Sequence, residues 1–475
     1  MQTHFPSDDG SDLGVGLLLA PFRGVRYDLS RVGGLANVTS PPYDVIGPGT
    51  LGQLLDASPY NVVRLILPGA APGRVAPGEV APGEVAPGDE AAALLRDWLA
   101  EGTLAVDGTP ALYVYEQCGA DWVQRGLIGL VGVGTDAVHP HEGVMPGPVA
   151  GRRELMKKTR SNLEPILLVY NGGKGVAGGA GVGGRGGLAA PGDASRLTDL
   201  TVERQAPLAC AVTDDGVTHR LWAITDPATQ AAIAADLATR TALIADGHHR
   251  YAAYRELRAQ EHRAQEHRAQ EHGAQEHGAQ EHGAGEDSGP WDYGLAFLVD
   301  ADKYPLRLAA IHRVLPRLSP TEAARLASGA FTVTAVTEET ALGRLAAAGE
   351  SGTAFLLAGS DRYWLLTDPD QRQLEEAMPP EASPRWRALD ASVMQELLLA
   401  RLWLIKDNER DVLISHDAAE AVRMAADCGG TAVICNPMPL AAVMDIAAHG
   451  EQVPRKSTSF GPKPRTGLVL RTIDT

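Results

Sequence analysis

Short apolar runs alternate along the chain with stretches of helical periodicity. The segments "ALYVYEQ" (111–117) and "GLIGLVGVG" (126–134) predict two strands around a turn. "EPILLVY" (164–170), "HRLWAIT" (219–225) and "TALIAD" (241–246) are further strand-length runs. "YGLAFLVD" (293–300) is apolar enough for a strand buried on both faces. "GRRELMKKTRS" (151–161) predicts a short basic helix, while "DASVMQELLLARLWLI" (390–405) and "AAEAVRMAADC" (418–428) place apolar residues at helical spacing. "GTAVICNP" (430–437) and "TGLVLRT" (466–472) return to strands. The mixture predicts an α/β (α+β) fold, a mixed sheet with helices.

Three segments break the pattern. "APGRVAPGEVAPGEVAPGDE" (71–90) is four copies of a pentapeptide, and "RAQEHRAQEHRAQEHGAQEHGAQEH" (258–282) is five copies of another. Packed structural repeats have periods of roughly 20 to 50 residues, so both read as expanded loop insertions, the first extended or disordered, the second helical or disordered. The third, 171–193, is glycine-rich. Its Lys174 is followed by Gly175 rather than Ser or Thr, so it is not a phosphate-binding P-loop. The 475 residues suffice for two to three domains. No interruption marks separate folding units, so one large domain over 1–475 carrying these insertions is expected.

Composition narrows the function classes. A formal net charge of −17 opposes sequence-independent binding to DNA. The four cysteines form no C-x-x-C pair and fit a reducing compartment. The polar, acidic start "MQTHFPSDDGSDLG" does not read as a signal peptide, and "LGVGLLLAPF" is too short to span a bilayer. A cytoplasmic protein without membrane partners is expected.

The strongest chemical signal is "LIADGHHRYAAY" (243–254). A strand ends, Asp246-Gly247 turns, and a helix begins with Tyr251, Tyr254 and Leu257 on neighbouring positions. Strand, glycine turn and helix start present free N–H groups and a partial positive dipole to an anion. Arg250 adds a donor fork suited to phosphate oxygens. Asp246 can hold Mg²⁺ or accept a proton, and His248 or His249 can shuttle one. The plainer alternative is Asp246 as a helix cap beside surface histidines.

A second constellation is "HPHEGVMPGPVAGRRELMKKTRSN" (139–162). His141 and Glu142 sit in a loop after a strand, with Glu142 as base or metal ligand. Arg152, Arg153, Lys157, Lys158 and Arg160 follow on the basic helix, and Asn162 closes the stretch. They read as an anion-binding face or as a solvated one. In "TSPPYDVI" (39–46), Tyr43 and Asp44 follow a double proline; in "SPYNVVRLILP" (58–68), Asn61 and Arg64 stand at an expected strand start. "PRKSTSFGPKPRTGLVL" (454–470) sets Lys456, Ser457, Thr458 and Lys463 in a turn-rich loop suited to phosphate.

Together with "APFRGVRY" (20–27), and in this order, these motifs resemble the domain of unknown function 1015 family, in wording closest to its actinobacterial branch. The resemblance covers nearly the whole chain outside the repeats. In that branch the helix after "GPVA" usually begins Asp-Arg; here it is Gly151-Arg152. The Asp-Gly-His-His-Arg box is similar to the phosphate-binding box of the ParB/sulfiredoxin fold, which kinases of free serine also use. The resemblance therefore implies a phosphate-binding core of that kind. It also implies ATP or ADP as ligand, Mg²⁺ on Asp246 and Glu142, and phosphoryl transfer to or from a small alcohol such as serine or phosphoserine.

Arg152, Arg153, Arg160, Arg250 and Lys456 would supply the cations, and Glu142 or His249 would handle the proton. A DNA-partitioning role needs a helix-turn-helix and a basic face, which the sequence does not offer. The competing reading is a non-catalytic nucleotide-binding regulator. The five histidines of the second repeat rotate about 140° per copy on a helix and share no face. The tract after Leu257 is accordingly expected to be a mostly solvated insertion.

Overall fold

The apolar runs of the first half pair into one mixed sheet. The computed structural model describes residues 16–69, 86–173, 192–273, 289–359, 362–408 and 410–474. Its strands β1 (Leu19–Ala20), β2 (Leu112–Cys118), β3 (Val123–Gly132), β4 (Val138–His139), β5 (Ile166–Tyr170), β6 (Ala209–Val212), β7 (Thr218–Ile224), β8 (Ala242–Asp246) and β9 (Tyr293–Asp300) make a nine-stranded sheet. The order is β4-β8-β5-β9-β3-β2-β7-β6, with β1 added against β3. β8 runs parallel to β4, and β9 parallel to β5; the other pairs are antiparallel. The strands β5 and β8 are buried at every position, as their apolar runs require, and β8 carries Asp246 buried at its end.

Two helices flank the functional turn. α1 (Pro146–Thr159) starts with proline at its first turn, and α2 (His248–Gly273) follows β8 directly. Tyr251, Ala253, Tyr254 and Leu257 of α2 share one core with Val149 and Met156 of α1 and with Ile166, Ile244 and Leu298 of the sheet.

The chain divides into two compact units. Unit 1 comprises Met1–His139, Val144–Leu306 and Pro462–Thr475, and unit 2 comprises Pro140–Gly143 and Arg307–Gly461. Unit 2 holds a six-stranded antiparallel sheet of β10 (His312–Leu315), β11 (Thr332–Val336), β12 (Phe355–Ala358), β13 (Tyr363–Thr367), β14 (Leu413–Ser415) and β15 (Thr431–Cys435), in the order β11-β13-β12-β15-β10-β14. Strand alternation gives it two cores. Phe355 and Leu357 meet Met394, Leu397 and Leu398 on one face; Leu356 and Ala358 meet Ala341, Leu345, Ala421 and Ala425 on the other.

Several expectations are corrected. Asn61 and Arg64 do not begin a strand: the Asn61 side chain accepts from Val63 N at 3.0 Å and turns the chain into the short helix Val63–Ile66. The segment 466–472 is strand only at Arg471–Thr472, because Gly467 (φ 95°) breaks the extended backbone. The end of the Ala-Pro-Gly repeat is helical: Pro87–Ala100 begins there, with proline in the first turn and Asp89 and Glu90 at its positive end. Residues 70–85 and 174–191 of the first and glycine-rich insertions lie outside the described residues.

The second repeat continues the helix, with its first copy anchored and Arg263, Gln265, Glu266, His267 and Arg268 exposed. α2 runs on to Gly273, and Arg258 Nε and His262 Nε2 each meet Asp292 Oδ1 at 2.7 Å. Its last copies, 274–282, lie outside the described residues. Among the described residues no helix is long and apolar enough to cross a membrane.

Candidate functional site

The site in unit 1 is built on the turn between β8 and α2. Gly247 has φ 96°, and a Cβ there would lie 2.8 Å from Ile166 Cγ2, so only glycine fits. One helical turn on, Arg250 folds back: its Nη2 donates to Asp246 Oδ2 at 2.5 Å, and its Nη1 donates to the Pro165 carbonyl at 2.5 Å. The Arg250 side chain is 1% exposed. Lys463 Nζ lies between two carboxylates, 2.5 Å from Asp246 Oδ1 and 2.7 Å from Asp44 Oδ2.

Asp44 is delivered by the single-turn helix Tyr43–Val45 that the double proline initiates. The neighbouring Tyr43 N–H donates to Glu164 Oε1 at 3.1 Å, and its ring lies under the Arg152 guanidinium, 4.2 Å from centroid to Cζ. Arg152 Nη1 donates to the Ile66 carbonyl at 2.8 Å and approaches Glu164 Oε2 at 3.6 Å. Three cations (Arg152, Arg250, Lys463) therefore interleave with three carboxylates (Asp44, Glu164, Asp246).

The electrostatics follow from burial set against these partners. Burial lowers the Lys463 ammonium, but Asp246 and Asp44 outweigh it and hold the group above its ordinary range. Burial raises Asp44, but Lys463 and Arg250 outweigh it and hold its carboxyl below the usual value. Arg250 likewise resists its burial through Glu164, Asp246 and Asp44 and stays firmly protonated. Glu164 is the exception: burial prevails over Arg250 and Arg152 and pushes its carboxyl up. Burial also raises the Tyr43 phenol.

Sequence reasoning singled out Tyr43, Asp44, Arg152, Asp246, Gly247, Arg250 and Lys463, and the structure brings all seven into this cluster. It passed over Glu164. The available signal was a carboxylate before Pro165 at the mouth of an entirely apolar strand, where a buried charge needs partners.

The other unit 1 candidates have different partners. Arg153 pairs with Glu256 at 2.7 Å, and Arg160, in left-handed conformation after α1, pairs with Asp474. Asn162 Oδ1 accepts from Leu295 N and from Arg471 Nη1. The Asn61 amide donates to the Asn37 carbonyl at 2.8 Å, and Arg64 donates to the Leu55 carbonyl at 2.7 Å. The contacts of Asn61, Arg64 and Asn162 to main-chain groups fix backbone. His248 is buried. His249 Nε2 accepts from Met145 N at 3.2 Å, which anchors the start of α1 and sets Nδ1 as the protonated nitrogen.

His141, Glu142, Lys456, Ser457 and Thr458 belong to unit 2. There His141 Nε2 meets Thr458 Oγ1 at 2.9 Å, Glu142 Oε1 accepts from Lys456 N at 3.1 Å, and Ser457 Oγ donates to the Pro454 carbonyl at 2.6 Å. Burial raises Glu142 against the Lys456 N–H and the charges of Lys456, Arg455 and Arg313.

Asp246 belongs to unit 1 and Glu142 to unit 2, and the Asp246 carboxylate is already bonded to Arg250 and Lys463. The Lys463 ammonium bridges Asp44 and Asp246. Among the described residues no three His, Cys, Asp or Glu side chains gather as a metal site.

A structure of a free serine kinase in complex with AMP is 14% identical to this chain, covering 69% of this chain and 84% of that chain with a TM-score of 0.31. A conserved hypothetical protein from Pyrococcus furiosus is 13% identical over 71% of this chain and 93% of its own, TM-score 0.31. SbnI from Staphylococcus aureus with a C-terminal truncation is 10% identical over 70% and 82%, TM-score 0.33. No curated protein matches. The family model described as "Protein of unknown function (DUF1015)" matches residues 19–178 and 188–392, most of the chain, and the protein belongs to that family.

Proposed function

We propose that unit 1 binds the phosphate groups of a nucleotide such as ATP or ADP and moves a phosphoryl group to or from a small hydroxylated metabolite, with serine or phosphoserine as the leading substrate. The observation that supports this is the convergence of Arg152, Arg250 and Lys463, from three separate segments, at a glycine turn that opens a helix. Phosphoryl transfer asks a protein for positioning and fixed positive charge rather than for covalent chemistry. The carboxylates hold those cations in place before a ligand arrives, so little reorganisation is needed when charge develops.

In this reading Lys463 and the first N–H groups of α2 face the phosphate oxygens, and Arg250 adds its charge from beneath, through Asp246. Asp246, bonded to both cations, orients them and accepts a hydrogen bond from the acceptor hydroxyl. Arg152, stacked on Tyr43 and backed by Glu164, holds the flank of the phosphate. His249 acts on position, by fixing the start of α1 through Met145. These parts agree with the ParB/sulfiredoxin-like phosphate box that the Asp-Gly-His-His-Arg motif resembles.

One observation favours a second reading, a nucleotide-binding regulator without turnover. Each cation already has a carboxylate partner, so the cluster carries no excess positive charge. Calorimetry with ATP, ADP and phosphoserine, together with phosphorus NMR of ATP plus serine and of ADP plus phosphoserine, separates the two. Transfer is expected, with ligand affinity reduced at least tenfold by Lys463→Ala, about 1.4 kcal/mol. Binding without turnover selects the regulator. Absence of both rejects phosphate chemistry here.

A further inference from the structure

Unit 2 contains a cavity of about 520 Å³ that the phosphate site does not use. It opens at the register pair Phe355–Cys435, where β12 begins and β15 ends. The volume lies in the range of small-molecule sites, roughly 300 to 1,000 Å³. Its walls are apolar, with Ile311, Phe355, Leu389, Met394 and Met438 presenting rings, branched chains and adaptable thioethers. Burial drives the Cys435 thiol up to about 12, so it lines the wall as a neutral group.

Three charged groups border this space: Arg385, Asp390 and Asp445. Arg385 is already committed, its Nη1 to Glu451 and its Nε to Asp445 at 3.2 Å. Asp390 has no such cation among the described residues. Thr353 and Ala354 favour its charged form, but burial outweighs them and pushes the carboxyl up. With one arginine against two carboxylates, the lining carries an excess of negative charge. An anionic phosphate or carboxylate ligand would therefore meet repulsion, and a cation would be drawn to Asp390.

A second observation marks the same place. The wall carrying Met394 is a π-helix, Val393–Leu402, closed by Trp403 N donating to the Leu398 carbonyl at 2.9 Å, five residues back. Such segments are rare and occur frequently at functional sites, where the wider turn re-aims a side chain. The helical turn before it, Asp390–Ser392, supplies the carboxylate.

We propose that this cavity is a binding site for a small organic monocation, an amine with an apolar, ring-sized body, its ammonium on Asp390 and its body between Phe355, Leu389 and Met394. The site is independent of phosphate chemistry in unit 1 and selects the opposite ligand charge.

Calorimetry on the full chain with three probes of one shape tests this: tryptamine (cation), 3-methylindole (neutral) and indole-3-propionate (anion). Tryptamine is expected to bind at least tenfold more tightly than indole-3-propionate. Asp390→Asn is expected to remove about tenfold of the tryptamine affinity, the scale of one charge-assisted hydrogen bond, and to leave 3-methylindole unchanged. Ala388 is exposed at the rim, so Ala388→Trp obstructs the cavity without disturbing the core and should abolish binding of both. Equal affinity for cation and anion overturns the proposal, as does the absence of tryptamine binding. If Asp390→Asn does not fold, tryptamine binding that survives Ala388→Trp overturns it equally.

Discussion

The contacts around Asp246 and those around Glu142 bury charge in opposite ways. Around Asp246 in unit 1, cations and carboxylates touch at 2.5 to 2.7 Å, and partners prevail over burial: Lys463 is held up and Asp44 down, so both remain charged. Around Glu142 in unit 2 burial prevails. Glu142 is pushed up and Arg313 down, each toward its neutral form. Both clusters set carboxylates near cationic side chains; the geometry differs. Glu142 has one backbone N–H at 3.1 Å, and Arg313 Nη2 donates to a carbonyl, that of Arg455, rather than to a carboxylate. Direct ion pairing decides which cluster keeps the fixed charges an anion needs.

The largest expected effect breaks that pairing. Asp246→Ala leaves the guanidinium of Arg250, 1% exposed, without its carboxylate, and should destabilise the protein by about 3–5 kcal/mol. Glu142→Gln keeps an acceptor for Lys456 N and removes a carboxyl that burial already disfavours. It should stay within about 1 kcal/mol of the parent. Urea unfolding of both variants measures the contrast, and equal losses would dissolve it. Next in size is Gly247→Ala, at about 1–3 kcal/mol, because φ 96° and the 2.8 Å approach to Ile166 Cγ2 both resist a Cβ.

A pH series sharpens the comparison further. Asp44 lies below its ordinary value of 3.8 when folded, so it contributes stability above that value and loses it as pH falls through the lower folded value. Glu142 lies above its ordinary 4.5 when folded. Its contribution is fully present below 4.5 and is lost as pH rises through the raised folded value. Unfolding of the parent, Asp44→Asn and Glu142→Gln between about pH 3 and pH 7 should give difference curves of opposite slope, each on the order of 1 kcal/mol. Slopes of the same sign would mean that both clusters are governed by burial.

The sequence made much of unit 1 legible because its signals are local. Unbroken apolar runs became the buried strands β5, β8 and β9, and Asp246-Gly247 turned where a strand must meet a helix. What escaped is set by the third dimension. Nothing local says that 140–143 serve unit 2, or that the Lys-Ser-Thr stretch and Lys463 fall in different units across the 461/462 boundary. The π-helix escaped because 390–405 is apolar on nearly all sides, and such a run fits a wide turn as readily as an α-turn. The first copy of the histidine repeat looked like filler because Asp292, its partner, lies about thirty residues on.

The smallest expected effect concerns Gly151, the helix position where the resemblance implies Asp. A Cβ added at Gly151 would meet nothing within 4 Å, and the residue sits on the exposed face of α1. Gly151→Asp gains a few tenths of a kcal/mol of helix propensity and gives back a similar amount to Glu154, a like charge three residues on. Its stability should therefore stay within about 0.5 kcal/mol of the parent. Ligand binding is the sharper readout. One more carboxylate beside Arg152 should weaken ATP binding by no more than about threefold, since an exposed charge acts through water. Calorimetry with and without Mg²⁺ distinguishes the ways this can go. Weakening in both conditions fits a cluster whose bridging cation is Lys463. Strengthening that appears with Mg²⁺ alone would mean that a carboxylate at this position holds a metal with the nucleotide, and that Lys463 shares the role assigned to it here.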